Sequence, residues 1–78
     1  MNLAIIYSKR SQECHRTLAL MKYLEEPFVE YLLGKDFTQD QFESEFGEEA
    51  EYPQVAIGTE HVGGLKEALS YYQMRNRL

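Results

Sequence analysis

Tryptophan is absent, and cysteine occurs once, at Cys14. A lone cysteine excludes an internal disulfide and a cysteine-rich metal site. Basic residues are scarce: eight Lys and Arg stand against thirteen Asp and Glu, for a net charge of −5. Nucleic acid is therefore not an expected partner, because a phosphate backbone is gripped by clustered Lys and Arg. No run approaches the roughly 20 apolar residues of a membrane helix, so no membrane partner is expected either. The opening Met1-Asn2-Leu3-Ala4-Ile5-Ile6 is apolar but short. It lacks a basic flank and a small-residue cleavage site, so it does not read as a signal peptide, and a cytoplasmic location is expected. Proline appears only at Pro27 and Pro53, and each marks a boundary.

What remains is an ordinary globular composition, 44% hydrophobic over 78 residues, read as one domain spanning 1–78. A chain this short buries only about 60% of its unfolded surface, so its core has to be well patterned. Leu3-Ala4-Ile5-Ile6-Tyr7 reads as a strand buried on both faces. Ser11 opens a helix in which Cys14, Thr17, Leu18, Met21 and Leu24 mark one buried stripe, closed before Pro27. Phe28 to Leu33, ended by Gly34, reads as a second, parallel strand. Phe37 to Gly47 has full helix punctuation. Thr38 and Gln41 form a capping box, and Phe37 and Phe42 a hydrophobic staple. Gly47 is placed for a left-handed C-cap, and Phe42 and Phe46 for the sheet. An acidic loop, Glu48 to Glu51, reads as solvated. Val55-Ala56-Ile57, the turn Gly58-Thr59 and Glu60-His61-Val62 read as a hairpin. Beyond Gly63-Gly64, the residues Leu65, Ala68, Leu69 and Tyr72 repeat at helical spacing, and Arg75 and Arg77 suit the end of that helix.

The order β-α-β-α-β-β-α predicts an α/β domain with a four-stranded mixed sheet and helices on both faces. Three segments narrow this further. The first strand runs into Ser8-Lys9-Arg10-Ser11-Gln12-Glu13-Cys14-His15-Arg16, the second segment is Tyr52-Pro53-Gln54-Val55, and the third is His61-Val62-Gly63-Gly64. Together they resemble the glutaredoxin family of thioredoxin-like proteins. Its members carry Cys-Pro-Tyr-Cys at the first place, a cis proline in Thr-Val-Pro-Gln-Val at the second, and His-Ile-Gly-Gly at the third. The resemblance spans nearly the whole chain.

The resemblance implies glutathione-linked reduction of protein disulfides, a monomeric electron carrier, and disulfide-bearing protein partners such as ribonucleotide reductase. It implies glutathione as co-substrate and no bound cofactor or metal. With Cys14 on the family's second, resolving cysteine, Ser11 falls on the attacking one. In an active relative, the thiolate at position 11 attacks the substrate disulfide, and the thiol at 14 or glutathione resolves the mixed disulfide. A serine hydroxyl keeps its proton and cannot exchange, so catalysis is expected to be impaired.

Alternative readings stay open at each position. Ser11 also suits a plain N-cap, or stands in place of a native cysteine, in which case the intact chain is an enzyme. A second register makes Cys14 the attacker, in Cys14-His15-Arg16-Thr17. Cys14 also fits a small core residue. Lys9 could bind a glutathione carboxylate or be a solvated residue after a strand. By the resemblance, the backbone of Tyr52, just before Pro53, would pair with glutathione like an added strand, or Pro53 only shapes the strand entry. Gly63 and Gly64 suit a carboxylate at a helix N-terminus or a tight turn. The rival function is a non-catalytic binding module for a peptide or partner protein. A subunit-bridging iron–sulfur role would need a thiolate at position 11, which Ser11 denies.

Overall fold

The computed structural model describes residues 3–75. Seven elements follow one another: β1 (Ala4–Ser8), α1 (Gln12–Leu24), β2 (Phe28–Leu32), α2 (Gln39–Phe46), β3 (Gln54–Ile57), β4 (Glu60–Gly63) and α3 (Leu65–Met74). The four strands make one mixed sheet in the order β2-β1-β3-β4. β1 is parallel to β2, with Ala4 opposite Phe28 and Ser8 opposite Leu32. It is antiparallel to β3, with Ala4 opposite Ile57 and Tyr7 opposite Gln54. β3 and β4 form the expected hairpin, with a register shift between Val55 and Ala56.

Period-two alternation along β1 divides the two layers of the domain. Ala4 and Ile6 point into a core shared with Met21 and Leu24 of α1, Val55 and Ile57 of β3, and Ala68 and Tyr72 of α3. Tyr7 points the other way, into the rings that carry α2: Phe37 at 5.4 Å, Phe42 at 6.4 Å and Phe46 at 5.0 Å between centroids. Helices therefore cover both faces, as the element order predicts.

The punctuation of α2 is met in full. Gln41 N–H donates to Thr38 Oγ1 at 3.1 Å, and Thr38 N–H to Gln41 Oε1 at 2.8 Å. The staple rings Phe37 and Phe42 stack at 5.9 Å. Helix α1 ends in a Schellman arrangement, with Glu25 in the left-handed region at φ 56° and Glu26 N–H reaching Met21 C=O.

Several expectations are corrected. Gly47 does not adopt a left-handed cap. Its φ of 102° and ψ of 158° lie in an extended region open essentially only to glycine. β1 starts at Ala4 rather than Leu3, and Ile5 and Tyr7 are only half-buried, because α2 meets that face through rings alone. β2 ends at Leu32 and is largely exposed, as befits a sheet edge. Leu33 makes only an isolated bridge with Phe37. Leu69 is exposed, while Tyr71 packs against the core. Arg75 lies over the Tyr71 ring at 3.7 Å, and Arg77 falls outside the described residues. Among the described residues no helix is long and apolar enough to cross a membrane.

Candidate functional site

Strand pairing builds the site. Because β1 and β3 run antiparallel with Tyr7 opposite Gln54, the C-terminal end of β1 meets the start of β3. The turn Lys9-Arg10-Ser11 and the tip of α1 are thereby set beside Pro53. Val55 lies opposite Gly63, which adds the Gly63–Gly64 turn and the start of α3. Three segments far apart in sequence thus meet at one end of the sheet.

Ser11 is the N-cap of α1, with extended backbone at φ −143°, ψ 160°. Its Oγ accepts the Cys14 N–H at 3.3 Å. Cys14 is 1% exposed and is a free thiol; its Sγ accepts the Lys9 N–H at 3.4 Å. The hydroxyl therefore occupies the helix tip, where backbone N–H groups would stabilise an anion, and the only thiol lies beneath it. Thr17, one turn on, is buried and returns its hydroxyl to Glu13 C=O at 2.9 Å.

The Tyr52–Pro53 peptide bond is cis, as expected, and Pro53 is buried. The Tyr52 ring stacks on Phe42 at 4.1 Å and donates its hydroxyl to Gln39 Oε1 at 2.9 Å. Desolvation, and then the charge of Glu43, hold its phenol above the ordinary 10.0. Lys9 Nζ sits 5.3 Å from the Tyr52 ring centroid, a cation–π placement. Among the described residues, neither the N–H nor the C=O of Tyr52 has a backbone partner. That leaves a short open strand edge beside Pro53.

At the third corner, Gly63 has φ +124°, and a Cβ there would lie 2.8 Å from Glu67 Cγ. Glycine is required at 63 on both counts. Gly64 is the N-cap of α3, and its N–H donates to Glu67 Oε1 at 2.9 Å. With no side chain at Gly64 to return the bond, this is half of a capping box.

Between these corners lies a cleft of about 370 Å³. Tyr52, Pro53, Gly63 and Gly64, which the sequence places in three separate motifs, all line it. Lys9 and Ser11 are not among its lining residues. Sequence reasoning missed its charge: Glu13, Glu49, Glu51 and Glu67 line it, with no Lys, Arg or His among the described lining residues. For Glu67 a signal existed in the spacing Gly64-x-x-Glu67, which marks an N-terminal cap. Glu49 and Glu51 read only as solvated loop residues. They are indeed exposed, but they face the cleft. His61 belongs elsewhere, stacked on Phe46 at 4.7 Å and 3.3 Å from Glu45.

This arrangement is an α/β thioredoxin-like fold. Among solved structures it is similar to glutaredoxin 1 from Francisella tularensis, described as complexed with cacodylate, with a TM-score of 0.75, 18% identity and 100% of both chains covered. No protein-family model matches the sequence, and no curated protein does.

Proposed function

We propose that this chain is a glutaredoxin-like protein whose disulfide exchange is stopped at Ser11. Its remaining activity is to hold an extended segment of a partner protein in the groove at Tyr52–Pro53. The observation that carries this reading is the pair of groups at the tip of α1. Ser11 Oγ takes the Cys14 N–H, and the Cys14 side chain is 1% exposed. Thiol–disulfide exchange needs an accessible thiolate, and none is placed there. The open backbone edge of Tyr52 supports the binding half of the reading, because an extended segment adds to such an edge by main-chain hydrogen bonds.

The test is a glutathione-coupled disulfide reductase assay on the chain as written. Negligible turnover is expected. Robust turnover abolished by Cys14→Ser would make Cys14 the nucleophile and overturn the assignment.

A second reading is supported by the cleft that Tyr52, Pro53, Gly63 and Gly64 line together. With cysteine at position 11, the same scaffold would serve as a glutathione-linked reductase of protein disulfides, with ribonucleotide reductase among its partners. A monomer in the cytoplasm, where thiols stay reduced, suits both readings.

A further inference from the structure

We propose that the groove at Tyr52–Pro53 selects a positively charged extended segment of a partner protein and discriminates against glutathione. The inference rests on the groove reading above and specifies its ligand.

Charge is the first ground. Glu13 comes from the first turn of α1, Glu49 and Glu51 from the loop before β3, and Glu67 from the first turn of α3. Their convergence on one cleft is a product of the fold rather than of sequence proximity. Each carboxylate is exposed, so a single pair with a ligand cation is weak. Four of one sign around a concave site sum to a field that attracts cations and repels anions. Lys9, whose Nζ lies 5.3 Å from the ring of the lining residue Tyr52, offsets one of these charges and leaves an acidic excess.

The second ground is the α3 N-terminus. A helix N-terminus ordinarily offers free N–H groups to a ligand anion. Here the Gly64 N–H is already taken by Glu67 Oε1. An incoming carboxylate would have to displace it to use that N–H, and at any other N–H of this turn it would lie among like charges. Glutathione carries two carboxylates and one ammonium group, so it meets the site with the wrong sign. A segment bearing Lys or Arg meets the open Tyr52 edge with its backbone and the carboxylates with its side chains.

The experiment follows backbone amide shifts of the ¹⁵N-labelled full chain, read at Tyr52, Gln54, Gly63 and Gly64. The probes are reduced glutathione and three acetylated, amidated pentapeptides built as Gly-X-Ser-X-Gly, with X as Lys, Gln or Glu. At low ionic strength the Lys peptide should bind about tenfold or more tighter than the Glu peptide, and glutathione should rank with the latter. Most of that gap should vanish at about 1 M salt, where the screening length falls to ~3 Å. The double variant Glu49→Gln/Glu51→Gln changes two exposed loop residues and should narrow the gap several-fold with unchanged circular dichroism. Equal binding of all three peptides at these amides would overturn charge selection while leaving the groove reading intact. So would a gap that the double variant does not move, or glutathione binding as tightly as the Lys peptide. If no probe shifts these amides, both the selection and the groove fall together.

Discussion

Replacing Ser11 with cysteine asks the fold to restore the chemistry that its present residue withholds. Ser11 Oγ already lies 3.3 Å from the Cys14 N–H, so the new sulfur would stand three residues before Cys14 at the tip of the same helix. The N-terminal dipole is worth about 0.3–1 kcal/mol to an anion. That attraction lowers the pKa of the new thiol. Glu13 in the first turn works against it. Oxidised glutathione should then accept two electrons from the two thiols, which lose their protons and join. A bridge closing a four-residue loop is worth about 1.9 kcal/mol on the chain-entropy relation. Losing the serine cap costs about 1 kcal/mol. The oxidised variant should therefore gain about 1 kcal/mol over the parent, or roughly 4–8 °C in Tm for a domain of this size. The reduced variant should melt below the parent. Thiol counting under denaturing conditions, before and after treatment with oxidised glutathione, gives the direct readout, and adding Glu13→Gln should speed closure. Two titratable thiols persisting in a folded, treated variant would refute the placement of Ser11 over Cys14.

Three further outcomes are expected. Gly63→Ala should lose about 1–3 kcal/mol in urea unfolding, because φ is +124° and Glu67 stands 2.8 Å from the added carbon. Gly64→Ala should lose less than about 1 kcal/mol, since its φ of −87° is ordinary; equal losses would contradict the geometry. Glu25→Gly should gain up to about 1 kcal/mol by relieving a non-glycine residue at φ 56°, and a loss would show that the Glu25 side chain does more than cap. Burial holds the phenols of Tyr7 and Tyr52 above the ordinary 10.0. Folding thus favours their neutral form, and that share of stability is present below pH 10 and lost as pH rises through the higher folded values. Tyrosinate absorbance of Tyr7→Phe and Tyr52→Phe, subtracted from the parent, should reveal groups titrating above 10; titration below 10 would deny their burial.

Local signals carried most of the fold into view. Thr38, Gln41, Phe37 and Phe42 announce the start of α2 because capping and stapling are made within six residues of chain. Pro27 and the apolar stripe from Cys14 to Leu24 bound α1 in the same way. The ends read less well. Gly47 shows only that a positive φ is wanted, and sequence does not distinguish the left-handed well from the extended one it occupies. At the site, Ser11, Cys14, Tyr52, Pro53, Gly63 and Gly64 were nameable because each sits in a short motif. The acidity of the cleft was not legible, since Glu13 and Glu67 are 54 positions apart and meet only through the β1–β3 and β3–β4 pairings. Nor was the stack of Tyr52 on Phe42, which joins β3 to a helix that the sequence places separately.

The bond from Gly64 to Glu67 makes the protein its own competitor. A carboxylate on a short tether presents itself at an effective concentration of about the millimolar range or above. A free carboxylate with weak intrinsic affinity is outcompeted for that N–H however open the cleft looks. Shortening the tether's reach, as in Glu67→Asp, or removing its charge, as in Glu67→Gln, would alter what the helix end can offer without touching the groove floor at Pro53. Residue 67 is thus where cap strength and anion affinity trade against each other, and drift at this one position could change the ligand without changing the fold.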